Sequence, residues 1–424
     1  KRKNVPESEY LTTMNSQKNI LEIEQLCTCF YTDRGTVRAV NGVTLDIPAG
    51  KTIGIVGESG CGKSVTSLSV MGLLPGPQGQ IESGSIRFQD RKRGRTVDLT
   101  KIPEKEYREI RGNDISMIFQ EPMTSLNPVY TIGNQMEECV RTHQPGVSKK
   151  EAKVKILDIL KRVGITRENV YDNYPHELSG GMRQRAAIAI ALACDPKLLI
   201  ADEPTTALDV TVQGQILKLL ARIAEETETA VLLVSHDLGV IASVCRRVLV
   251  MQNGKMVEEG TVEEIFYDPR EEYTRLLIER ANSLSALTKK KISSEPLLIL
   301  KHVTKSYSGG GGQAKGNQPE AVRDVSFEID KGETYGLVGE SGCGKTTVAK
   351  MITGVHAPSE GTIIYRGKEL EGMRRQIQMV FQDPYSSLNP RMTVRETLEE
   401  PLLLNTADPP DERKKKVADI MELA

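Results

Sequence analysis

The chain has 424 residues, 38% of them hydrophobic and 27% charged, and a formal net charge of −1. This length and composition are typical of two or three ordinary globular domains, and the balanced charge argues against a large basic surface for nucleic acid. Apolar runs are of strand length, well short of the ~20 residues of a membrane span, and the polar N-terminus lacks the apolar core of a secretory signal. We therefore expect a cytoplasmic protein that touches a membrane only through a partner.

The N-terminal part of the chain predicts an extension, two strands and a glycine-rich loop. Residues 1–18 form the extension, and Met14 within it is the expected natural start, so we expect the sequence to be a fragment. The first domain is predicted over 19–280, where Ile20–Ile23 and Thr52–Val56 have the pattern of strands. The second strand is followed by G-x-x-x-x-G-K-[ST], the P-loop pattern. Its residues are Gly57, Glu58, Ser59, Gly60, Cys61, Gly62, Lys63 and Ser64.

The P-loop pattern predicts a site for the phosphates of a nucleotide. Glycines let backbone N–H groups turn inward around phosphate oxygens, and the helix predicted over Val65–Met71 adds a potential that favours anions at its N-terminus. Lys63 would place a cation beside the β- and γ-phosphates, and Ser64 would offer a hydroxyl to Mg²⁺. The strand–loop–helix context makes a chance glycine-rich turn a poor explanation.

Two later strands end in residues that suit phosphoryl transfer. Leu198–Ala201 predicts a buried strand, followed by Asp202, which can hold Mg²⁺ through water, and Glu203, which can polarise the attacking water. Val231–Val234 predicts another strand. His236 follows it and can hydrogen-bond the γ-phosphate and orient Glu203 or the water. A strand that ends in an acidic turn, and a lone structural histidine, are the simpler alternatives.

The same sequence phrases return in the second half of the chain. A linker is predicted over 281–296 and a second domain over 297–424, with Tyr335–Val338 as a buried strand and a helix over Glu412–Ala424. The sequence ends before a second acidic pair like the one at Asp202 could occur. Alternation of short apolar strands with helical patterns predicts an α/β fold with a mainly parallel sheet. The second P-loop consists of Gly339, Glu340, Ser341, Gly342, Cys343, Gly344, Lys345 and Thr346.

Together these segments resemble the ATP-binding domains of ABC-type ATPases, over nearly the whole chain. Leu178–Arg185 resembles the signature motif of that family, with Met182 where glutamine is usual. The resemblance implies a P-loop NTPase of ABC type, with a mainly parallel sheet, an added antiparallel β part and a helical subdomain. Here the fold would be duplicated, with the second copy incomplete.

The resemblance also implies roles for residues outside the P-loops. In the family the signature of one domain caps the ATP held by the other, so Ser179, Gly180 and Gly181 would bind nucleotide in trans. Gln120 and Gln382 match the Q-loop glutamine, which senses the γ-phosphate and contacts the membrane domain of the transporter. The implied catalytic residues are Glu203, His236 and Gln120, and the implied Mg²⁺ ligands are Ser64, Gln120, Asp202, Thr346 and Gln382.

Further positions match the family less directly. Asp209 resembles the aspartate of the D-loop. Tyr307, and either Phe30 or Tyr31, occupy the place of the aromatic residue that stacks on adenine. Simple packing within a strand remains open for these aromatic side chains.

The resemblance narrows to importers of oligopeptides, dipeptides and nickel. Phe119–Pro128 and Phe381–Pro390 match their phrase after the Q-loop glutamine, and the two copies are fused as in some glutathione and peptide importers. Asp268–Leu277 resembles the short tail motif of peptide importers, with Glu271-Glu272-Tyr273 where His-Pro-Tyr is commoner.

The function implied is ATP binding and hydrolysis that energise import of peptides or a related small solute. The cofactors implied are ATP and Mg²⁺, and the partners are two membrane-spanning permease subunits and, indirectly, an extracytoplasmic solute-binding protein. The protein would lie on the cytoplasmic side of the membrane, with its two ATP-binding domains paired head to tail and without a nucleic-acid partner. Neither ATP site would be complete within these residues. The alternatives are a nucleotide-binding fragment without productive hydrolysis and a soluble tandem ABC ATPase unrelated to transport.

Overall fold

The computed structural model describes residues 19–33, 35–90, 94–120, 125–206, 208–282, 295–307, 320–340, 342–372, 376–381 and 387–423. The chain divides into two compact units, Lys1–Thr288 and Lys289–Ala424. Within the described ranges, no helix combines the length and the apolar character needed to cross a bilayer.

The described part of the first unit contains two sheets and a set of helices. Its strands are β1 (Asn19–Thr32), β2 (Gly35–Pro48), β3 (Thr52–Val56), β4 (Gly79–Asp90), β5 (Arg95–Asp98), β6 (Ile115–Ile118), β7 (Leu198–Asp202), β8 (Ala230–Ser235), β9 (Arg247–Gln252) and β10 (Lys255–Thr261). Its helices are α1 (Lys63–Met71), α2 (Glu104–Ile110), α3 (Ile132–His143), α4 (Lys149–Arg162), α5 (Gly180–Ala191), α6 (Val210–Thr227), α7 (Leu238–Val244), α8 (Val262–Tyr267) and α9 (Glu272–Asn282). Short 3₁₀ turns cover Glu168–Asp172 and Pro175–Glu177.

The larger sheet of the first unit has the strand order β10-β9-β3-β8-β7-β6. The five strands from β9 to β6 are parallel, and only β10 pairs in antiparallel fashion. Strands β3, β7 and β8 are buried almost throughout, because side chains from both faces of the sheet enter hydrophobic cores. Their carboxyl ends therefore meet at one edge, where ligands bind in open α/β sheets.

The smaller sheet is antiparallel, with the order β2-β1-β4-β5. Apolar side chains of β1, β2 and β4 pack in one core with side chains of the larger sheet, among them Leu21, Leu45, Phe88 and Ile53. On the opposite face of the larger sheet, side chains of α3, α4 and α5 pack in a second core. Helix α4 begins with a capping box between Ser148 and Glu151. The predicted fold class, a mainly parallel sheet with an antiparallel part and helices, is confirmed.

The second unit contains one described sheet, with the order β12-β11-β13-β14. Its strands are β11 (Pro296–Ser306), β12 (Glu320–Asp330), β13 (Glu360–Tyr365) and β14 (Lys368–Glu369), and its helices are α10 (Lys345–Ile352), α11 (Val394–Asn405) and α12 (Pro410–Leu423). All described pairings are antiparallel, and the described residues of this unit include a core of seven buried side chains.

The predicted buried strand at Tyr335–Val338 is wrong. These residues form no strand, and Val338 is 92% exposed. Its counterpart β3 is buried because β8 and β9 lie on either side of it. Within the described part of the second unit, no strand pairs with Tyr335–Val338, so an apolar sequence alone does not bury it.

Candidate active site

The first P-loop joins the end of β3 to the start of α1, as the sequence predicts. Gly62 precedes the helix in a left-handed conformation, with φ of 106°, which favours glycine. A Cβ on Gly62 would lie 2.3 Å from the carbonyl oxygen of Ala39, and one on Gly57 would lie 2.2 Å from that of Met251. Backbone from β2 and β9 therefore presses against the two ends of the loop and leaves room for glycine only.

Lys63 is the first residue of α1, and it is only 4% exposed. Its Nζ donates to the carbonyl oxygens of Gly57, at 2.7 Å, and Glu58, at 2.9 Å. The Sγ of Cys61 lies 3.7 Å from the same nitrogen. A buried ammonium group needs such partners. The lysine is thus held at the loop by contacts that it can exchange for phosphate oxygens.

Ser64 and Asp202 form the next pair at the site. The hydroxyl of Ser64 donates to Oδ1 of Asp202 at 3.1 Å, so α1 and the end of β7 bring two oxygen ligands together. Burial raises the pKa of Asp202 to about 6; the hydrogen bond from Ser64 opposes this rise, the nearby charge of Glu203 adds to it, and Lys63 lowers it. A cation at this carboxylate would favour its charged form.

The donor set of Ser64 and Asp202 fits Mg²⁺. Magnesium prefers oxygen ligands and is usually held by one or two carboxylates together with substrate phosphates rather than by a cage of protein groups. Over the described ranges, no cluster of three or more His, Cys, Asp or Glu side chains could hold a metal ion. The two oxygen ligands of Ser64 and Asp202 suit an ion whose other ligands arrive with a nucleotide.

Glu203 lies directly after β7, and three of the described side chains contact its carboxylate. Oε2 accepts hydrogen bonds from Nε2 of Gln120 and from the hydroxyl of Thr206, both at 3.0 Å. Nδ1 of His236 lies 2.9 Å from Oε1. Gln120 follows β6 and His236 follows β8, so the ends of three neighbouring parallel strands build this cluster.

The backbone of Glu203 is in the left-handed region, with φ of 46°. Its N–H donates to the carbonyl oxygen of Val234 in β8, at 2.9 Å. A non-glycine residue with this conformation costs roughly 1–3 kcal/mol and is characteristic of functional sites. In this conformation the carboxylate lies within hydrogen-bond distance of Gln120 and His236, which hold it in place.

Thr206 is a member of this cluster that the sequence did not single out. It follows Glu203 by three residues, in the turn between β7 and α6. A hydroxyl three positions after Glu203 can form a local hydrogen bond to its carboxylate, so this spacing could have indicated Thr206.

The signature residues begin α5. Ser179 caps the helix by accepting from the N–H of Met182 at 3.4 Å. A Cβ on Gly181 would lie 2.9 Å from the side chain of Val212 in α6. Asp209 caps α6 by accepting from the N–H of Val212 at 2.9 Å. The signature residues and Asp209 thus lie around the starts of the neighbouring helices α5 and α6. Asp209 caps α6, a structural role that the sequence did not predict.

The candidate adenine-stacking residues differ in their surroundings. Phe30 is half-buried, and its ring lies 2.9 Å from the position of a Cβ on Gly79. The hydroxyl of Tyr31 donates to Glu82 at 2.7 Å. In the second unit, the ring of Tyr307 meets His356 edge to face, with centroids 5.7 Å apart. In the described residues, Phe30 thus lies against Gly79, and Tyr307 lies against His356.

The second P-loop repeats the local geometry of the first. Gly344 has φ of 101°, α10 begins at Lys345, and Nζ of Lys345 donates to the carbonyl oxygens of Gly339 and Glu340, both at 2.7 Å. Cys343 and Thr346 are exposed. Ser341 and Gln382 lie outside the described residues.

Comparison with known proteins gives consistent results. The family model described as "ABC transporter" matches residues 40–206 and 322–424. The chain is 39% identical, over 440 residues, to the glutathione import ATP-binding protein GsiA of Escherichia coli (strain K12), a match that covers 95% of this chain and 70% of the relative. The protein of the same name from Pectobacterium atrosepticum is 40% identical over 441 residues, with 96% and 70% covered.

Solved structures also resemble the chain. The dimeric ATP-binding cassette MJ0796, in a post-hydrolysis state bound to ADP and Pi, has a TM-score of 0.51 and 27% identity. That match covers 57% of this chain and 98% of the cassette. The cbiO1 protein from Clostridium perfringens, part of the ABC transporter complex cbiONQ, has a TM-score of 0.50 and 27% identity, with 63% and 96% covered.

Proposed function

The chain belongs to the ABC transporter family and is an ATPase of the ABC type, and we propose that it energises the import of peptides or a related small solute. The observation that carries this proposal is the cluster at the edge of the parallel sheet, where Ser64 and Asp202 adjoin Glu203 with its three hydrogen-bond partners. Phosphoryl transfer requires mainly the positioning of charge around an in-line displacement, and this cluster provides it.

Each residue of the candidate site in the first unit has a proposed part in the reaction. The N–H groups of the P-loop and the Nζ of Lys63 bind the β- and γ-phosphates, while Ser64 and Asp202 hold Mg²⁺. When bound, Mg²⁺ neutralises negative charge on the phosphate oxygens. Glu203 accepts the proton of the attacking water, because its carboxylate is the hydrogen-bond acceptor at the centre of the cluster.

Gln120 and His236 orient that carboxylate. Gln120 contacts Oε2 of Glu203, and His236 contacts Oε1. Gln120 follows β6 and His236 follows β8, the two strands on either side of β7. We assign to Gln120 a second part, the transmission of the nucleotide state to a permease subunit, which fits its exposed position at the end of β6.

The proposed assembly follows from the relatives. The GsiA proteins are ATP-binding proteins for glutathione import, which supports glutathione or short peptides as cargo here. The solved cassette MJ0796 is dimeric, which supports head-to-tail pairing in which Ser179, Gly180 and Gly181 complete a nucleotide site held by an opposing P-loop. We further propose peripheral attachment to the cytoplasmic face of the membrane through two permease subunits, with a solute-binding protein delivering the cargo from outside.

Replacing the proposed base tests this function. In the transporter assembled with its permease subunits, Glu203→Gln should slow ATP hydrolysis roughly 10²–10⁴-fold, the usual contribution of a general base, and solute uptake should fall with it. ATP binding should persist, because the P-loop, Ser64 and Asp202 are unchanged.

The matched control is Glu225→Gln, which makes the same change on an exposed position of α6. It should leave hydrolysis and uptake at the wild-type level. Wild-type turnover in Glu203→Gln would refute the assignment of the base. ATP hydrolysis that proceeds without any link to solute uptake would refute the import function.

A further inference from the structure

We propose that helix α9 positions the first P-loop through Tyr273 and Arg280. The backbone N–H of Glu58 donates to the hydroxyl oxygen of Tyr273 at 3.2 Å. The guanidinium of Arg280 donates to the carboxylate of Glu58 at 2.5 Å. Two side chains from one helix thus hold the backbone and the side chain of one loop residue. The inference rests on nucleotide binding at this loop.

Glu58 lies in the part of the loop that has the least support from the sheets. The ends of the loop are packed against strand backbones at Gly57 and Gly62. Between them Glu58, Ser59 and Gly60 are exposed, and a Cβ on Gly60 would meet nothing within 4 Å. The N–H of Glu58 belongs to the same peptide group as the carbonyl of Gly57, which accepts a hydrogen bond from the ammonium of Lys63 at 2.7 Å. Whatever fixes this peptide therefore fixes one of the contacts of the phosphate-binding lysine.

The α9 helix is anchored well enough to act as such a support. The carboxylate of Glu258 in β10 accepts hydrogen bonds from the N–H groups of Arg270 and Glu271, at 2.7 and 3.2 Å, just before the helix. Tyr273, Leu277 and Ile278 pack against the main hydrophobic core. The hydroxyl of Tyr273 is consequently held in place by packing, as a positioning group must be.

The ion pair between Arg280 and Glu58 acts mainly through charge. Both side chains are largely exposed, and such pairs contribute little to the stability of a fold. An unpaired carboxylate beside a triphosphate site, however, would repel the ligand. Arg280 neutralises that carboxylate, so its effect should appear in nucleotide affinity and should weaken as salt screens the charges.

The test measures Mg-ATP affinity in the full chain carrying Lys345→Ala, so that binding reports the first loop. Tyr273→Phe removes only the hydroxyl and should weaken binding about 3–10-fold, the effect of one hydrogen bond. Arg280→Ala should weaken it by a similar factor at low salt and less at high salt. The unfolding midpoint without nucleotide should stay at the value of the parent protein.

A double-variant cycle identifies the route. In a Glu58→Gln background the carboxylate is gone, so Arg280→Ala should cause no further loss of affinity. Tyr267→Phe and Arg246→Ala are the matched controls, since both side chains are exposed in the same unit; they should bind Mg-ATP as the parent does.

The outcomes separate the two claims. Undiminished affinity in Tyr273→Phe and Arg280→Ala, with a parent that binds Mg-ATP, overturns the positioning inference and leaves the proposed function standing. An affinity loss matched by an equal loss of stability without nucleotide also overturns it, because the helix would then be merely structural. A parent that binds no Mg-ATP refutes nucleotide binding at the first loop, and both claims fail with it.

Discussion

Lys63 and Lys345 follow loops of nearly identical sequence, and each donates to the carbonyl oxygens of the first two loop residues. Each also begins a helix directly after a left-handed glycine. The surroundings differ. Cys61 is 6% exposed in the first loop, whereas Cys343 is exposed in the second. The same local sequence therefore gives the same loop geometry in two different environments.

The difference comes from segments far away in the sequence. In the first unit, β8 and β9 flank β3, and Met251 in β9 presses on Gly57. In the second unit, a Cβ on Gly339 would meet, among the described residues, only the side chain of Cys343, at 2.6 and 3.8 Å. Short-range sequence thus specifies the turn, while long-range strand pairing specifies whether the turn is held rigidly at the edge of a sheet.

The largest contrast is expected from alanine at the first glycine of each loop. Gly57→Ala places a methyl group against the backbone carbonyl of Met251, which cannot rotate away, and should destabilise the first unit by about 3 kcal/mol. In the described part of the second unit, Gly339→Ala meets an exposed cysteine side chain in place of backbone, and it should cost less than about 1 kcal/mol. Calorimetric unfolding of the two variants measures both effects. Equal losses would show that the loops are packed alike.

The buried carboxyl group of Asp202 should make the stability of the first unit depend on pH. Burial raises its pKa from 3.8 to about 6, so between these values the folded protein binds more protons than the unfolded chain, and stability falls as the pH rises. The cost is absent below about pH 4 and reaches up to about 3 kcal/mol above about pH 6. Asp202→Asn should therefore be more stable than wild type near about pH 7.5, and equally stable near about pH 4.

Denaturant unfolding at the two pH values checks this prediction, with Asp158→Asn, an exposed position in α4, as the control. A loss of stability in Asp202→Asn at the higher pH would contradict the account of the buried carboxylate. The same variant should bind ATP with less dependence on Mg²⁺, since it lacks the charged group that we propose as a ligand of the ion.

The two loop cysteines should differ in their reactivity. Burial raises the pKa of Cys61, and the thiol is shielded from solvent, whereas Cys343 is exposed. Alkylation of Cys343 by a maleimide should be about 100-fold faster, because reaction needs both access and the thiolate. Peptide mapping by mass spectrometry after timed labelling separates the two sites. Similar rates would mean that the first loop opens readily to solvent.

Local patterns explain why much of the site was predictable. The P-loop, the strand ends at Asp202 and at His236, and the helix start at Ser179 each depend on a few neighbouring residues. The parallel strand order then brings those ends together, as the alternating pattern predicts. Their assigned roles in catalysis and binding remain predictions.

Contacts between distant segments could not be predicted in the same way. Glu58 and Tyr273 are 215 residues apart, and nothing in either segment indicates the other. The sequence marked 268–277 only as a tail motif. The prediction of a buried strand at Tyr335–Val338 was wrong for the converse reason. The apolar pattern indicates burial, but burial also requires neighbouring strands, which the pattern does not specify.

The central claim is that the strands on either side of β3 hold the first loop in place for nucleotide, whereas no strand among the described residues flanks the segment before the second loop. The direct measurement is the Mg-ATP affinity of Lys63→Ala and Lys345→Ala, made separately in the full chain and compared with wild type. Lys63→Ala removes the buried ammonium group that we propose binds phosphate, and it should weaken binding about 100-fold. Lys345→Ala should change it less than about 3-fold. Equal losses in the two variants would contradict the account.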